Sequence, residues 1–93
     1  MYRISKTRVF DRSLLKLKRS GMLKVSILQD LGFAINALRD GRQLPRTYRD
    51  HGLTGDLQGY RDCHIKGDLL LIYTIRNNEL VLKDIGSHSQ LFG

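Results

Sequence analysis

The chain has 93 residues, of which 41% are hydrophobic, and a formal net charge of +7. That length suffices for one modest core, so one domain spanning residues 1–93 is expected, and the composition is that of a globular rather than a disordered protein. No apolar run approaches the ~18 residues of a membrane span, the lone Cys63 excludes an intramolecular disulfide framework, and "MYRISKTRVFD" lacks the apolar stretch of a secretory signal, so a cytoplasmic protein with no membrane partner is expected.

The charge is unevenly placed. Residues 1–24 hold eight basic side chains (Arg3, Lys6, Arg8, Arg12, Lys16, Lys18, Arg19 and Lys24) against Asp11 alone, whereas the rest of the chain balances eight basic residues with eight acidic ones. Such a bias attracts a polyanion, most simply nucleic acid, or an acidic protein partner; charge alone leaves both open.

In chain order, Tyr2 and Ile4 alternate with Arg3 and Ser5, which predicts a short first strand. From about Thr7 the period becomes helical. Phe10, Leu14 and Leu17 fall on one face, with Arg8, Arg12, Lys16 and Arg19 opposite. Leu15 projects among the basic residues and is expected to pack under a neighbouring loop. Ser20-Gly21 breaks this helix. A second is expected from about Met22 to Arg39, with the stripe Ile27, Leu31, Ala34 and Leu38 widened by Leu28 and Ile35, and Gly41 as its left-handed cap. So short a break predicts an antiparallel helical hairpin.

The stretch "RQLPRTYRDHGLTGDLQG" has no sustained period and is expected to form a long loop with at most one short strand. Loops above ~12–15 residues in a small domain are usually functional or disordered. This one carries His51 with Arg42, Arg46 and Arg49, which favours function. Then "YRDCHI" predicts a strand, and "DLLLIYTIR" a central strand covered on both faces. Asn77-Asn78 supplies a hairpin turn, and "ELVLKDIG" returns antiparallel. The sum is an α+β fold: a short N-terminal strand and an antiparallel two-helix hairpin packed on a twisted, mainly antiparallel β-sheet.

All three histidines, His51, His64 and His88, lie in the β half. Their separations lack the close pairs usual in zinc sites, so no metal or cofactor is expected. Cys63 neighbours His64 and so points to the opposite face of the strand, as a core residue rather than a nucleophile. General acid–base chemistry fits better, since one imidazole can accept a proton while another donates one. Asp68, four residues beyond His64 in a turn, can lie near it. On a basic protein this set points to RNA cleavage by attack of the ribose 2′-hydroxyl on its own phosphate. A duplex-DNA module is the weaker reading, because no helix-turn-helix signal is present.

The segments "YRDHGLTGDLQGYRDCHIKGDLLLIYTI" and "IGSHSQLF" resemble the YafQ-type branch of the RelE toxin superfamily. In that branch D-H-x-L, G-x-R-[DE]-x-H-[IV]-x-x-D, L-L-I-Y and G-[ST]-H-x-x-L-F occur in this order. The match is close over residues 48–93, and the N-terminal half agrees in layout. The resemblance implies a RelE-like fold and a type II toxin that cuts mRNA in the ribosomal A site without metal, contacts ribosomal RNA, and is silenced by a cognate antitoxin (DinJ-like or similar). Carried over by position, it makes His51, His64, Asp68 and His88 acid–base and substrate-binding residues, with Asp62 and Phe92 also tied to activity. In that scheme His88 is the general acid, Asp68 or His64 the base, and His51 holds ribose or phosphate; Phe92 stacks on a base or packs the tail.

One position departs from the family. Relatives often carry an arginine four residues before the final histidine; here it is Asp84, which should repel a phosphate. Lys83 is adjacent, but strand neighbours face opposite ways, so it could substitute only through a bulge or twist. Arg61, Arg76 or a loop arginine such as Arg49 could otherwise contribute to substrate binding. Asp84 also supports an alternative, a weakly active or inactive member that binds RNA and antitoxin without efficient cleavage. A second departure, Leu69 where some relatives have tryptophan, is minor.

Overall fold

A computed structural model describes residues 1–93. In chain order the elements are β1 (Arg3–Lys6), α1 (Arg8–Arg19), α2 (Val25–Arg39), β2 (His51–Gly52), β3 (Arg61–Lys66), β4 (Leu69–Arg76), β5 (Glu79–Ser87) and α3 (His88–Phe92), with single 3₁₀ turns at Arg46–Tyr48 and Gly55–Leu57. The sheet has five strands in the order β1-β5-β4-β3-β2. β1 runs parallel to β5, and every other pairing is antiparallel. The expected α+β architecture is present, and no helix is long and apolar enough to cross a membrane.

Thr7 caps α1 by accepting from the Phe10 amide, and its own hydroxyl donates to the Lys83 carbonyl at 2.6 Å. Phe10 and Leu17 are buried against β5 while the basic face stays in solvent. Leu15 is 43% exposed, so no loop covers it, contrary to expectation. Leu28 is likewise exposed, and Ala37 takes the inward place on α2 instead.

The second helix starts at Val25, not Met22, because the end of α1 uses the intervening residues. Gly21, at φ +77°, lets its amide reach the Lys18 carbonyl and that of Met22 reach Leu17, a Schellman closure that forces the chain out of helix. The same device ends α2: Gly41 sits at φ +74°, with Gly41 bonded to Leu38 and Arg42 to Ala37.

β4 is buried along Leu69–Thr74. Leu69, Leu71 and Tyr73 join Phe10, Leu17, Leu31, Ala34 and Leu38 in the core between sheet and helices. Leu70 and Ile72 are also buried but lie outside that cluster, on the opposite face, where the 53–60 loop and α3 cover the sheet. Two contacts show this cover: Thr74 Oγ1 donates to the Gly59 carbonyl at 2.8 Å, and Gly86, paired with Leu70, lies beneath Gln90 and Leu91. The Asn77–Asn78 hairpin closes with both residues left-handed, at φ 52° and 63°, as a primed two-residue turn requires.

Of the glycines, Gly86 has the tightest surroundings, since a Cβ there would stand 3.0 Å from Gln90 Oε1 and 3.5 Å from Leu91 Cδ2. Gly86→Ala should therefore loosen α3 while leaving β4 intact. Amide hydrogen exchange of residues 89–92 is expected to accelerate at least about tenfold, with β4 protection unchanged, as befits a local rather than global opening.

Candidate active site

β2 has two residues, and its pairing sets His51 directly across from Asp62 on β3. Asp62 is only 3% exposed, whereas His51, on the edge strand, is open to solvent. Their Nδ1 and Oδ1 atoms approach to 3.2 Å. That contact is not a hydrogen bond, because the His51 Nδ1 proton is directed at the Arg49 carbonyl, 2.8 Å away, and it becomes an ion pair only when the ring is protonated. A carbonyl only accepts, so Nδ1 must carry the proton, and the neutral ring presents a free lone pair at Nε2. Asp62 Oδ1 is left buried with no hydrogen-bond donor. Burial raises the Asp62 pKa above the ordinary carboxylate value, opposed by His51, His64 and His88 and reinforced by Asp50.

His88 arrives from the other side. It opens α3, whose start is fixed by a capping box: Ser87 Oγ accepts from the Gln90 amide, and Gln90 Oε1 accepts from the Ser87 amide at 2.8 Å. One helical turn on, the Phe92 ring meets the His88 ring at 5.2 Å between centroids, tilted by 50°. An open pocket of about 350 Å³ results, in which His51, Asp62, His88 and Phe92 share the lining with Thr54 and Asp56. Sequence patterning missed Thr54 and Asp56; they enter only because the Gly55–Leu57 turn folds back over the sheet.

The remaining expected site residues lie elsewhere. His64 is half-buried two residues along β3 from Asp62, on the same sheet face but outside the pocket lining. Asp68 is exposed in the β3–β4 turn, which separates it from the pocket and leaves it poorly placed as the base. Arg49 and Arg61 line a different cleft. Cys63 is fully buried in the core, its thiol pushed up to about 12 chiefly by burial, with Asp50 and Asp62 adding to the effect, and it is inert as a nucleophile.

At position 84 the bulge that Lys83 needed is present. The β4–β5 register shifts between Ile72, paired with Asp84, and Tyr73, paired with Leu82, so Lys83 is the extra residue. Its ammonium lies 4.9 Å over the Tyr60 ring, on the sheet face that carries the pocket. The Asp84 carboxylate does not face an incoming anion as an unpartnered charge. Its Oδ1 accepts from Ser13 Oγ of α1 at 2.6 Å and from the Ile85 amide at 2.8 Å. The repulsion expected from sequence is thus blunted by geometry.

An orphaned buried carboxylate opposes folding, so Asp62→Asn should stabilise the protein by about 1–2 kcal/mol at pH 8. The sign follows from linkage. A carboxyl whose folded pKa is raised binds its proton more tightly in the folded state, so wild-type stability falls as pH rises from the ordinary carboxylate range through the raised value. The gain should accordingly shrink towards pH 4, as the wild-type group takes up its proton at the raised value. Urea unfolding at both pH values measures the difference; destabilisation at pH 8 would contradict it.

A family model described as "Bacterial toxin of type II toxin-antitoxin system, YafQ" matches residues 2–93. The chain is 48% identical over 61 residues to a protein of Haemophilus influenzae named as a YafQ toxin, covering 61% of this chain and 60% of that protein. It is 44% identical over 50 residues to the mRNA interferase toxin YafQ of Escherichia coli K12, covering 54% of each; the matched stretches span little more than half of these relatives' lengths. Over its whole length it superposes on the crystal structure of YafQ from E. coli BL21(DE3), with a TM-score of 0.87, 26% identity and full coverage of both chains. The same holds for the E. coli DinJ–YafQ complex, with a TM-score of 0.84 and 28% identity. The chain belongs to the YafQ family of bacterial toxins of type II toxin–antitoxin systems.

Proposed function

We propose that this chain is an mRNA interferase: an endoribonuclease that cuts mRNA on the ribosome and so inhibits translation, and that is held inactive by a DinJ-like antitoxin. The observation that carries the reading is one pocket whose lining combines an imidazole from β2, an imidazole from α3 and a buried carboxylate. The E. coli relative's name supplies the activity, and the DinJ–YafQ complex supplies the kind of partner. A cytoplasmic location follows from that substrate.

The chemistry uses the groups as placed. His51 Nε2 takes the proton of a ribose 2′-hydroxyl, whose oxygen attacks the adjacent phosphorus. The bond from phosphorus to the 5′-oxygen breaks, and His88 in its protonated form gives that oxygen its proton. The products are a 2′,3′-cyclic phosphate and a 5′-hydroxyl. Asp62 lies against the His51 ring and favours the imidazolium that forms there, the role an acid plays behind a base in acyl-transfer triads. His64 places a further imidazole on the same face, outside the pocket lining. Phe92, 37% exposed beside His88, offers a base a stacking surface. Lys83, carried outward by the bulge and outside the pocket lining, is the cation we assign to the charge growing on the phosphate. Asp68, exposed in the β3–β4 turn and outside the pocket lining, is given no step in this scheme.

The binding-only alternative rests on Asp84, and the Ser13–Asp84 hydrogen bond speaks against it. Primer extension on a translated mRNA separates the two readings. Wild-type protein should create new 5′ ends, and His88→Gln or His51→Gln should lower their rate by about 10²–10⁴-fold, as expected for loss of a general acid or base. No new ends with the wild type would sink the nuclease reading. Lys83→Ala should cost at least about tenfold through lost phosphate stabilisation, whereas Asp84→Asn, which keeps an acceptor for Ser13, should change the rate less than about threefold. The reverse order would return the limiting defect to Asp84.

A further inference from the structure

Around the β2 edge from the histidine pocket lies a second cleft, of about 420 Å³, that shares no lining residue with the first. Its charged residues are Arg46, Arg49, Arg61 and Asp50, an excess of two positive charges. The geometry points to this cleft as a second anion site, one that holds a backbone phosphate of the same RNA strand whose neighbouring nucleotide occupies the histidine pocket. The inference rests on the nuclease reading and extends it.

The cleft is built rather than incidental. Asp50 Oδ1 accepts from the hydroxyl of buried Tyr73 at 2.6 Å and from Arg61 Nε at 3.1 Å. Arg61 is thereby held by a partner that is itself fixed from the core, and its Nη1 lies 3.6 Å from where a Cβ on Gly52 would stand. With Nε taken by Asp50, the Arg61 side chain is still 47% exposed and lines the cleft. Arg46 and Arg49 are exposed, and neither has a carboxylate within 4.0 Å, unlike Arg39, Arg42 and Arg61. Two unpaired guanidinium groups beside a pre-oriented third match the planar, multidentate way arginine takes phosphate oxygens. The cleft's volume lies within the range of ligand-binding pockets.

Continuity favours RNA over an acidic peptide. Asp50 of the cleft and His51 of the pocket are consecutive residues, and the Arg49 carbonyl that fixes the His51 tautomer belongs to a residue of the cleft wall. An RNA strand carries a charge at every nucleotide, so one seated on His51 and His88 presents a further phosphate to the arginines without any added recognition element. A peptide would need an acidic side chain placed there separately.

The test uses the full chain and a short single-stranded oligoribonucleotide with 2′-O-methyl groups, which cannot supply the attacking hydroxyl. Wild type and Arg46→Ala/Arg49→Ala are compared by binding across a salt series, with thermal melts to confirm that both fold. Loss of two phosphate contacts should flatten the slope of log K against log salt by about 1.4, at ~0.7 per contact for a single strand, and weaken binding at least about tenfold at low salt. Arg46→Lys/Arg49→Lys should recover most of the slope, because charge is retained. An unchanged slope and affinity, a wild type that fails to bind, or a variant that loses only an acidic peptide ligand would each overturn the assignment. Cleavage of translated mRNA keeps the two readings apart. A wild type that binds with the expected slope but cuts nothing leaves the cleft standing and removes the nuclease, whereas a wild type that cuts, paired with a variant unaltered in binding, removes only the cleft.

Discussion

The fold is governed by a strand that is apolar on both of its faces. β4 places Leu69, Leu71 and Tyr73 towards the helices and Leu70 and Ile72 away from them, and all five are buried. Fully burying one such side chain is worth roughly 1.5–3 kcal/mol relative to exposure, so neither face can be left to water. Two helices cover one face. The other has no helix of comparable length available, and the chain covers it with the 53–60 loop and the five-residue α3. These two thin covers carry Thr54, Asp56, His88 and Phe92, and His51 enters from the strand just before the loop. The candidate pocket is the seam between them. Burial of an apolar surface and assembly of the candidate site are in this sense one event.

Asp62 shows what that seam costs. On the outward face of β3 an aspartate would ordinarily be solvated, but here the covers bury it, and its only close cationic neighbour is a histidine whose proton is directed elsewhere. Buried ionisable groups without full compensation are uncommon away from functional sites, because each subtracts from a marginal folding free energy. His51, His64 and His88 each act against that cost by lowering the Asp62 pKa, so a proton taken up by one of them would be stabilised by the buried carboxylate.

Much of this was legible in the residues. Helical periodicity located α1 and the body of α2, the alternation and long apolar run located β3 and β4, and the paired asparagines marked the hairpin. The histidines, Asp62 and Phe92 were identifiable as a candidate set through ordered motifs. What was not legible has common physical causes. The α2 start depends on hydrogen bonds from Gly21 and Met22 back into α1, a closure invisible to hydrophobic periodicity. Leu15 and Leu28 fit amphipathic reasoning only loosely, and nothing in the fold happens to cover them. Arg61 and Asp62 are neighbours in sequence yet serve different cavities, because a strand sends alternate side chains to opposite faces. Whether Asp68 reaches the pocket depends on how the β3–β4 turn is directed, which residue spacing does not specify.

The bulge at Lys83 brings the two halves of the fold together. A two-for-one mismatch leaves backbone groups without ladder partners, and here α1 answers both needs. Thr7 donates to the Lys83 carbonyl while capping the helix, and Ser13, two turns along, takes the Asp84 carboxylate. The aspartate is drawn to the helix side, and Lys83 is free to lie over Tyr60 on the pocket side. Strict alternation would have set one charge on each face according to register alone, with no means of choosing the cation for the pocket. The helix makes that choice through two hydroxyls. The basic first helix is accordingly more than a charged surface, since hydroxyls along its inner edge decide how two adjacent, oppositely charged side chains are parted at the bulge.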